Sequence, residues 1–234
     1  MEAVCIIFAR GGSKGLPGKN LKTLKGVPLI GWSIEKALKV KRINRVIVST
    51  DSDEIASIAK KYGGEVPFKR PFELSKDNTP EWQAWKHALK YLNDVEQSLP
   101  EVMVSLPTTS PLRQVSDIEA CLDEYEKSDA DIVVTITDSH RNPYFNMVKK
   151  ELDGTFTLVN KTAQSLVNRQ SAPEVFDLTT VCYVVNCNYV LANSGIFQGK
   201  VKAVTIPPER AIDIDTEFDF QVVEALVNSG RVVL

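Results

Sequence analysis

Apolar, β-branched runs alternate with stretches of helical period along most of the chain. AVCIIFA (3–9), RVIVST (45–50), EVPF (65–68), EVMVSL (101–106) and DIVVTI (131–136) read as strands. LIGWSIEKALKV (29–40), DEIASIAKKYG (53–63), EWQAWKHALKYL (81–92) and a segment from Asp117 to about Lys127 read as the helices between them. The strands are close to continuously apolar, which is the pattern of strands buried on both faces. They predict an α/β fold that is Rossmann-like, with a mostly parallel sheet and helices on both faces. Polar residues mark where helices begin: Ser116 with Glu119 fits a capping box, Asp51 with Glu54 resembles one, and Thr79 precedes a proline at the first helical position.

From about His140 to Arg169 this rhythm breaks. NPYFNMV and TFTLVN read as two short strands across the turn LDGT, and the polar segment after them has no helical period. A hairpin on its own is barely stable and must pack its apolar face on something. The segment 140–169 therefore reads as a β-hairpin excursion from a single domain spanning 1–234, serving as a homodimer arm, with a lid over a site as the competing role. The main pattern resumes at TTVCYVVN (179–186) and VKAVTI (201–206) and closes with a helix from Glu217 to Asn228.

Composition narrows the class. With 28 basic and 30 acidic residues the formal charge is -2, so no overall positive field exists to hold nucleic acid. No apolar run approaches the ~20 residues that span a bilayer, and the amino terminus lacks the pattern of a secretion signal, so neither a nucleic acid nor a membrane is expected as partner and a cytoplasmic location is. The four cysteines are scattered and only two histidines are present, a poor fit to structural zinc or a disulfide framework.

The densest chemical signal is ARGGSKGLPGKN (9–20), between the first strand and the first helix. Ligands of open parallel sheets bind at the carboxyl ends of strands, and glycines there let backbone N–H groups approach phosphate oxygens. Arg10, Lys14 and Lys19 add positive charge to the same loop, so a polyphosphate is the expected ligand. The loop is not a P-loop: Ser13 stands where the first glycine belongs and Asn20 where the metal-binding hydroxyl belongs. Nor does it match GxGxxG, because Gly11 and Gly12 are adjacent and Pro17 intervenes before any helix.

Near the other end, AIDIDTEFD alternates isoleucines with Asp213 and Asp215, so an extended backbone points both carboxylates to one face. Two hard oxygen ligands suit Mg²⁺, whose shell phosphates and water complete. The other reading of the run is a helix start, capped by Thr216 with Asp219.

RGGSKGLPGKN, STDSDEIA (49–56), KRP (69–71), TSPLR (109–113), RQSAP (169–173) and DIDTEFD (213–219), in that order, resemble the acylneuraminate cytidylyltransferases over essentially the whole chain. The resemblance implies transfer of CMP from CTP to the anomeric hydroxyl of a nine-carbon acidic sugar, with release of pyrophosphate and dependence on Mg²⁺. It implies that Arg10 and Lys19 bind the triphosphate within a nucleotide-binding loop that includes Gly11, Gly12 and Ser13, and that Asn20 lies beside the α-phosphate. Asp215, with Arg10 and Lys19, is the expected catalytic set, and Asp215 and then Asp213 the expected metal ligands. Arg70 is implied in recognition of the base or ribose, Arg169 near the sugar or the leaving phosphates, and Tyr183 in the sugar pocket. Asp77 and Thr79 line the nucleotide pocket or are a solvated turn and a helix cap, and Arg113 pairs with substrate or lies on the surface.

Two departures stand out. Many relatives carry Gln-Pro before TSPLR where this chain has Pro107 and Thr108, and often Arg-Pro-Asn-Gly where it has Asp177 to Thr180. With RNPYFN (141–146), these look closer to a branch that activates legionaminic-type sugars. Two further readings stay open: a cytidylyltransferase for an eight-carbon acidic sugar, and a non-catalytic nucleotide-sugar binding protein. The base that deprotonates the sugar is not visible in the sequence.

Overall fold

The computed structural model describes residues 3–161 and 168–234, the side chain of Arg169 excepted. Its strands are β1 (Ala3–Phe8), β2 (Thr23–Leu24), β3 (Val27–Pro28), β4 (Ile43–Ser49), β5 (Val102–Ser105), β6 (Ile132–Asp138), β7 (Val148–Lys150), β8 (Phe156–Leu158), β9 (Phe176–Asn186) and β10 (Val201–Thr205). Its α-helices are α1 (Leu29–Leu38), α2 (Asp53–Lys61), α3 (Glu81–Asp94), α4 (Val115–Lys127), α5 (Cys187–Ala192) and α6 (Glu217–Asn228).

Six strands form the central sheet in the order β10-β6-β9-β5-β1-β4. All pair in parallel except β9, which runs antiparallel to both β5 and β6. The reversal follows from the excursion after β6. A parallel return needs a crossover of a dozen or more residues, usually a helix. Among the described residues between β6 and β9 there are only the β7–β8 hairpin and a single 3-10 turn at Arg169–Ser171, so the chain re-enters the sheet from the edge it left.

Strand β1 shows why the layers form. Ala3, Cys5 and Ile7 face a core shared with Ile30 and Ile34 of α1, Ile55 of α2 and Ile118 of α4. Val4 and Ile6 face the other side, against Trp82, Trp85 and Leu89 of α3 and Val190 of α5. Each fully buried isoleucine contributes roughly 1.5–3 kcal/mol, so a strand apolar on both faces is stable only between two helical layers. A third cluster joins Leu16 of the first loop, Leu29, Leu112, Ile214 and Phe220 of α6. It pulls the first loop and the acidic run near residue 214 onto the same patch.

Local details differ from the pattern in a few places. EVPF contributes only one isolated bridge, Ile47 to Glu65, with a second from Thr50 to Lys69 just after it, rather than a strand. NPYFNMV is a loop up to Met147, held by Asn142, and only Val148 begins β7. The cap of α4 is Gln114 with Asp117, not Ser116 with Glu119, and that of α2 is Ser52, which accepts from the Ile55 N–H, not Asp51. Thr79 does not cap α3; its hydroxyl donates to the Glu73 carbonyl.

Candidate active site

At the carboxyl edge of β1, β4 and β5 lies a cleft of about 600 Å³. Of the expected residues, Arg10, Ser13, Lys19, Asn20, Arg70, Asp77, Thr79 and Asp215 all line it. The decisive contact is between Lys19 Nζ and Asp215 Oδ1, 3.0 Å apart although the residues are 196 positions apart in sequence. The lysine is 14% exposed and the carboxylate 71%, so the pair opens to the cleft from the Asp215 side.

Several local features force this meeting. Leu16 and Ile214 are buried together in the third cluster. The Ile214 N–H donates to the Thr109 carbonyl at 2.9 Å, tying the acidic run to the loop after β5. Gly15 lies so close that a Cβ there would stand 2.4 Å from the Asp215 carbonyl oxygen, so any side chain at this position would push the two segments apart. Gly18 turns the chain in the left-handed region, φ 67°, ahead of the 3-10 turn that carries Lys19 and Asn20.

On the opposite wall Arg10 Nη1 and Lys14 Nζ each stand 2.7 Å from the Asp77 carboxylate. The hydrogen bond from Lys14, and then that from Arg10, hold the Asp77 carboxyl below the usual range. Arg70 is buried at the base of this wall, where its Nη2 donates to the Ser49 carbonyl at 2.9 Å and its Nε has no partner. Burial lowers its pKa, against the opposing charges of Asp51 and Glu81. Gly11 and Gly12 contribute differently: the Gly11 N–H is taken by Asp51 Oδ1 at 2.9 Å, and Gly12 lines a neighbouring hollow.

Two expectations shift in place. Tyr183 is 7% exposed and packs edge-on against Trp85, ring centroids 5.7 Å apart, behind the cleft rather than on its wall. Burial raises its pKa, and the nearby Glu81 and Asp213 add to the rise. Arg113 neither meets a substrate nor lies on the surface: it is fully buried, with Nη1 donating to Ser33 Oγ at 2.9 Å and Nη2 to the carbonyls of Pro107 and Thr180. The side chain of Arg169 lies outside the described residues.

The residues that could hold a divalent ion are Asp213 and Asp215, of which Asp215 lines the cleft and Asp213 lies just outside its lining. Asp213 is half-buried and its Oδ1 has no hydrogen-bond partner, while the Asp215 carboxylate faces the cleft, so both have coordinating capacity to spare. Among the described residues no group of three or more His, Cys, Asp or Glu side chains gathers to hold a metal. Two carboxylates fit a hard ion that completes its shell with phosphate oxygens and water. The acidic run also starts α6, but through Thr216 and Asp219, which form the capping box and leave both aspartate side chains out of it.

The cleft contains residues to which motif reading assigned no role. Thr108, Thr109 and Thr180 supply hydroxyls, Phe8 and Ala84 an apolar patch, and Glu81 a carboxylate on the first turn of α3. Glu81 is open to the cleft yet crowded by protein, which raises its pKa against the Trp85 indole N–H that donates to it at 3.2 Å. Its position just after Thr79-Pro80 was the available signal.

The chain is similar to several known proteins. The chain is 34% identical over 227 residues to the CMP-N,N'-diacetyllegionaminic acid synthase of Campylobacter jejuni, across 97% of this chain and 95% of that protein. It is 33% identical over 226 residues to the post-translational flagellin modification protein B of Campylobacter coli, with coverage of 97% and 95%. Against N-acylneuraminate cytidylyltransferase B of Danio rerio the identity is 30%, over 95% of this chain and 50% of that one. In fold it superposes on a CMP:2-keto-3-deoxy-manno-octonic acid synthetase complexed with CTP, with a TM-score of 0.71, 18% identity, and coverage of 98% and 100%. Residues 4–195 match the cytidylyltransferase family, and with a cleft of this composition the chain belongs to that family.

Proposed function

We propose that this cytidylyltransferase joins CMP from CTP to the anomeric hydroxyl of a nine-carbon acidic sugar of the sialic or legionaminic acid class. The meeting of Lys19 with Asp215 on one wall of the cleft carries the reading, and the names of the relatives that align over nearly their full length support the sugar class. The sugar oxygen bonds to the α-phosphorus as the bond from that phosphorus to the β-phosphate oxygen breaks. Pyrophosphate leaves, and the hydroxyl proton passes to solvent. Arg10, Lys14 and Lys19 bind the triphosphate in place of their present carboxylate partners, and Asn20 lies beside the α-phosphate. Arg70, at the base of the wall, faces the base or ribose, and Arg169 serves the sugar end, with Tyr183 packed behind the cleft against Trp85. Asp213 and Asp215 would hold Mg²⁺, which when bound neutralises charge on the triphosphate and on the departing pyrophosphate.

The reaction is placed in the cytoplasm and the working unit is a homodimer built through the arm at 140–169. Support for the arm lies in its surface: Phe145, Met147, Val148, Leu152 and Phe156 are all exposed, a run of apolar area larger than single scattered residues need. Light scattering on the purified protein tests it, with Val148→Glu and Phe156→Glu together expected to give a monomer.

Pyrophosphate release is the measurement that tests the reaction. Each of CTP, UTP, ATP and GTP is paired with N-acetylneuraminic acid, N,N'-diacetyllegionaminic acid and an eight-carbon 3-deoxy acid. Turnover confined to CTP with a nine-carbon acid is expected. Turnover only with the eight-carbon acid would overturn the sugar class, and binding of CTP without release in any pairing would make the chain a nucleotide-sugar binding protein.

A further inference from the structure

Asn20 is the pivot between two loops, and its amide can face only one way. Nδ2 donates to the Arg10 carbonyl at 2.8 Å, and because a carbonyl accepts and never donates, the amino side of the amide must point there. Oδ1 therefore faces the other way, where it accepts from the Thr108 hydroxyl. Asn20 and Thr108 are 6% and 3% exposed, so water does not compete freely for this bond. The second hydrogen of Nδ2 makes no further hydrogen bond among the described residues, and Asn20 lines the cleft.

Thr108 is itself held firmly. The carbonyl of Pro107, just before it, accepts from Arg113 Nη2 and from Ser33 Oγ, and the carbonyl of Thr109, just after it, accepts the Ile214 N–H. The loop after β5 is thus fixed on both sides of Thr108 before any ligand arrives.

We infer that Thr108 is a positioning residue for the transfer reaction: its hydroxyl locks the Asn20 amide so that the free N–H is presented to the α-phosphate. Without that donor the Asn20 side chain is held on one side only, by the Arg10 carbonyl. The amide then swings or rotates, and the N–H is no longer pre-aimed where negative charge grows during transfer. Preorganised donors act through the transition state, so the loss should fall on kcat more than on the KM for CTP.

The inference rests on Asn20 lying beside the α-phosphate, as proposed above, so the experiment separates the two. Four proteins are assayed for pyrophosphate release and thermal melting: Thr108→Val, Thr108→Ser, Asn20→Ala and the double variant Asn20→Ala with Thr108→Val. Thr108→Val is expected to lower kcat about tenfold, the scale of one lost hydrogen bond in a dry site, with the KM for CTP changed less than about twofold. Thr108→Ser keeps the donor and should stay within about twofold of the parent. In the Asn20→Ala background the Thr108→Val change should cost nothing more, because the two residues act through one bond. If valine crowds the loop and the protein fails to melt cooperatively, Thr108→Ala carries the same expectation. Parent-like kcat in Thr108→Val beside a slow Asn20→Ala overturns the lock alone, as do losses that multiply or a serine variant as slow as the valine one. Parent-like kinetics in Asn20→Ala removes Asn20 from the site and overturns the underlying reading.

Discussion

Two groups of cations in this chain live under opposite conditions. Lys36 and Arg113 are buried beneath the loop after β5 and are held by neutral acceptors: Lys36 Nζ by the carbonyls of Pro111, at 2.8 Å, and Arg113, and Arg113 by those of Pro107 and Thr180. Arg10, Lys14 and Lys19 sit around the cleft and are held by the carboxylates of Asp77 and Asp215. The backbone cannot surrender its carbonyls without unfolding the loop. Asp77 is 39% and Asp215 71% exposed, and ion pairs that open to water are worth about 0–1 kcal/mol. A triphosphate can therefore take over the cleft cations at small cost to the fold. Charge in the interior shapes the site, and charge at the mouth remains free to react.

The sharpest way to break this contrast is Asp215→Asn, which should lower turnover by about 1,000-fold while leaving the melting temperature close to that of the parent. Since Thr216 and Asp219 carry the cap of α6, a large loss of stability would mean that the residue serves the fold instead. Next in size is Arg113→Met. It removes a charge that burial already disfavours, its pKa lowered to about 10, but it strands the Pro107 and Thr180 carbonyls. A net loss of about 2 kcal/mol in urea denaturation is expected, and a more stable variant would show that those acceptors do not need the guanidinium.

Lys19→Ala should reduce kcat/KM for CTP by about tenfold to 100-fold with little change in melting, a pattern opposite to that of Arg113. Unaltered kinetics would take Lys19 out of the site. The smallest effect concerns Lys36. Burial, then the Arg113 charge, lowers its pKa from 10.5 to about 7. Between those values the folded chain binds one proton fewer than the unfolded chain, so this group makes stability rise with pH across that window. The buried thiols act in reverse above their ordinary value of 9.0, because Cys5 and Cys187 are pushed up by burial and Cys121 first by its hydrogen bond to Cys182. The rise is thus best read from about pH 7 to 9, as the difference between the parent and Lys36→Met. A difference that is flat over this range would mean that Lys36 stays charged inside.

Much of the fold could be read because burial on both faces leaves a simple mark. Val4 and Ile6 alternate with Cys5 and Ile7 and all are apolar, which only a strand between two helical layers tolerates. The missing helical period after β6 showed an excursion but not its consequence, since the antiparallel return of β9 depends on where the chain re-enters the sheet. Cap positions were less legible, since Gln114 is not a strong capping type and Ser116 beside it is. Arg113 misled for a physical reason: its partners are mostly carbonyl oxygens, which every residue has and no motif displays. The roles of Gly15 and Thr108 depend on segments far away in sequence, the Asp215 carbonyl and the Asn20 amide, so no local pattern could reveal them.

The bond between Lys19 and Asp215 also sets an order on the life of each molecule. A nascent chain can lay down β1 and its loop early, yet that loop waits through nearly two hundred further residues for its acidic counterpart. Until the segment before α6 leaves the ribosome, the growing polypeptide carries a phosphate-seeking loop with no chemistry behind it. With Asp215 in the role proposed above, competence arrives late and at one stroke, so fragments that stop short of Asp215 are expected not to turn over.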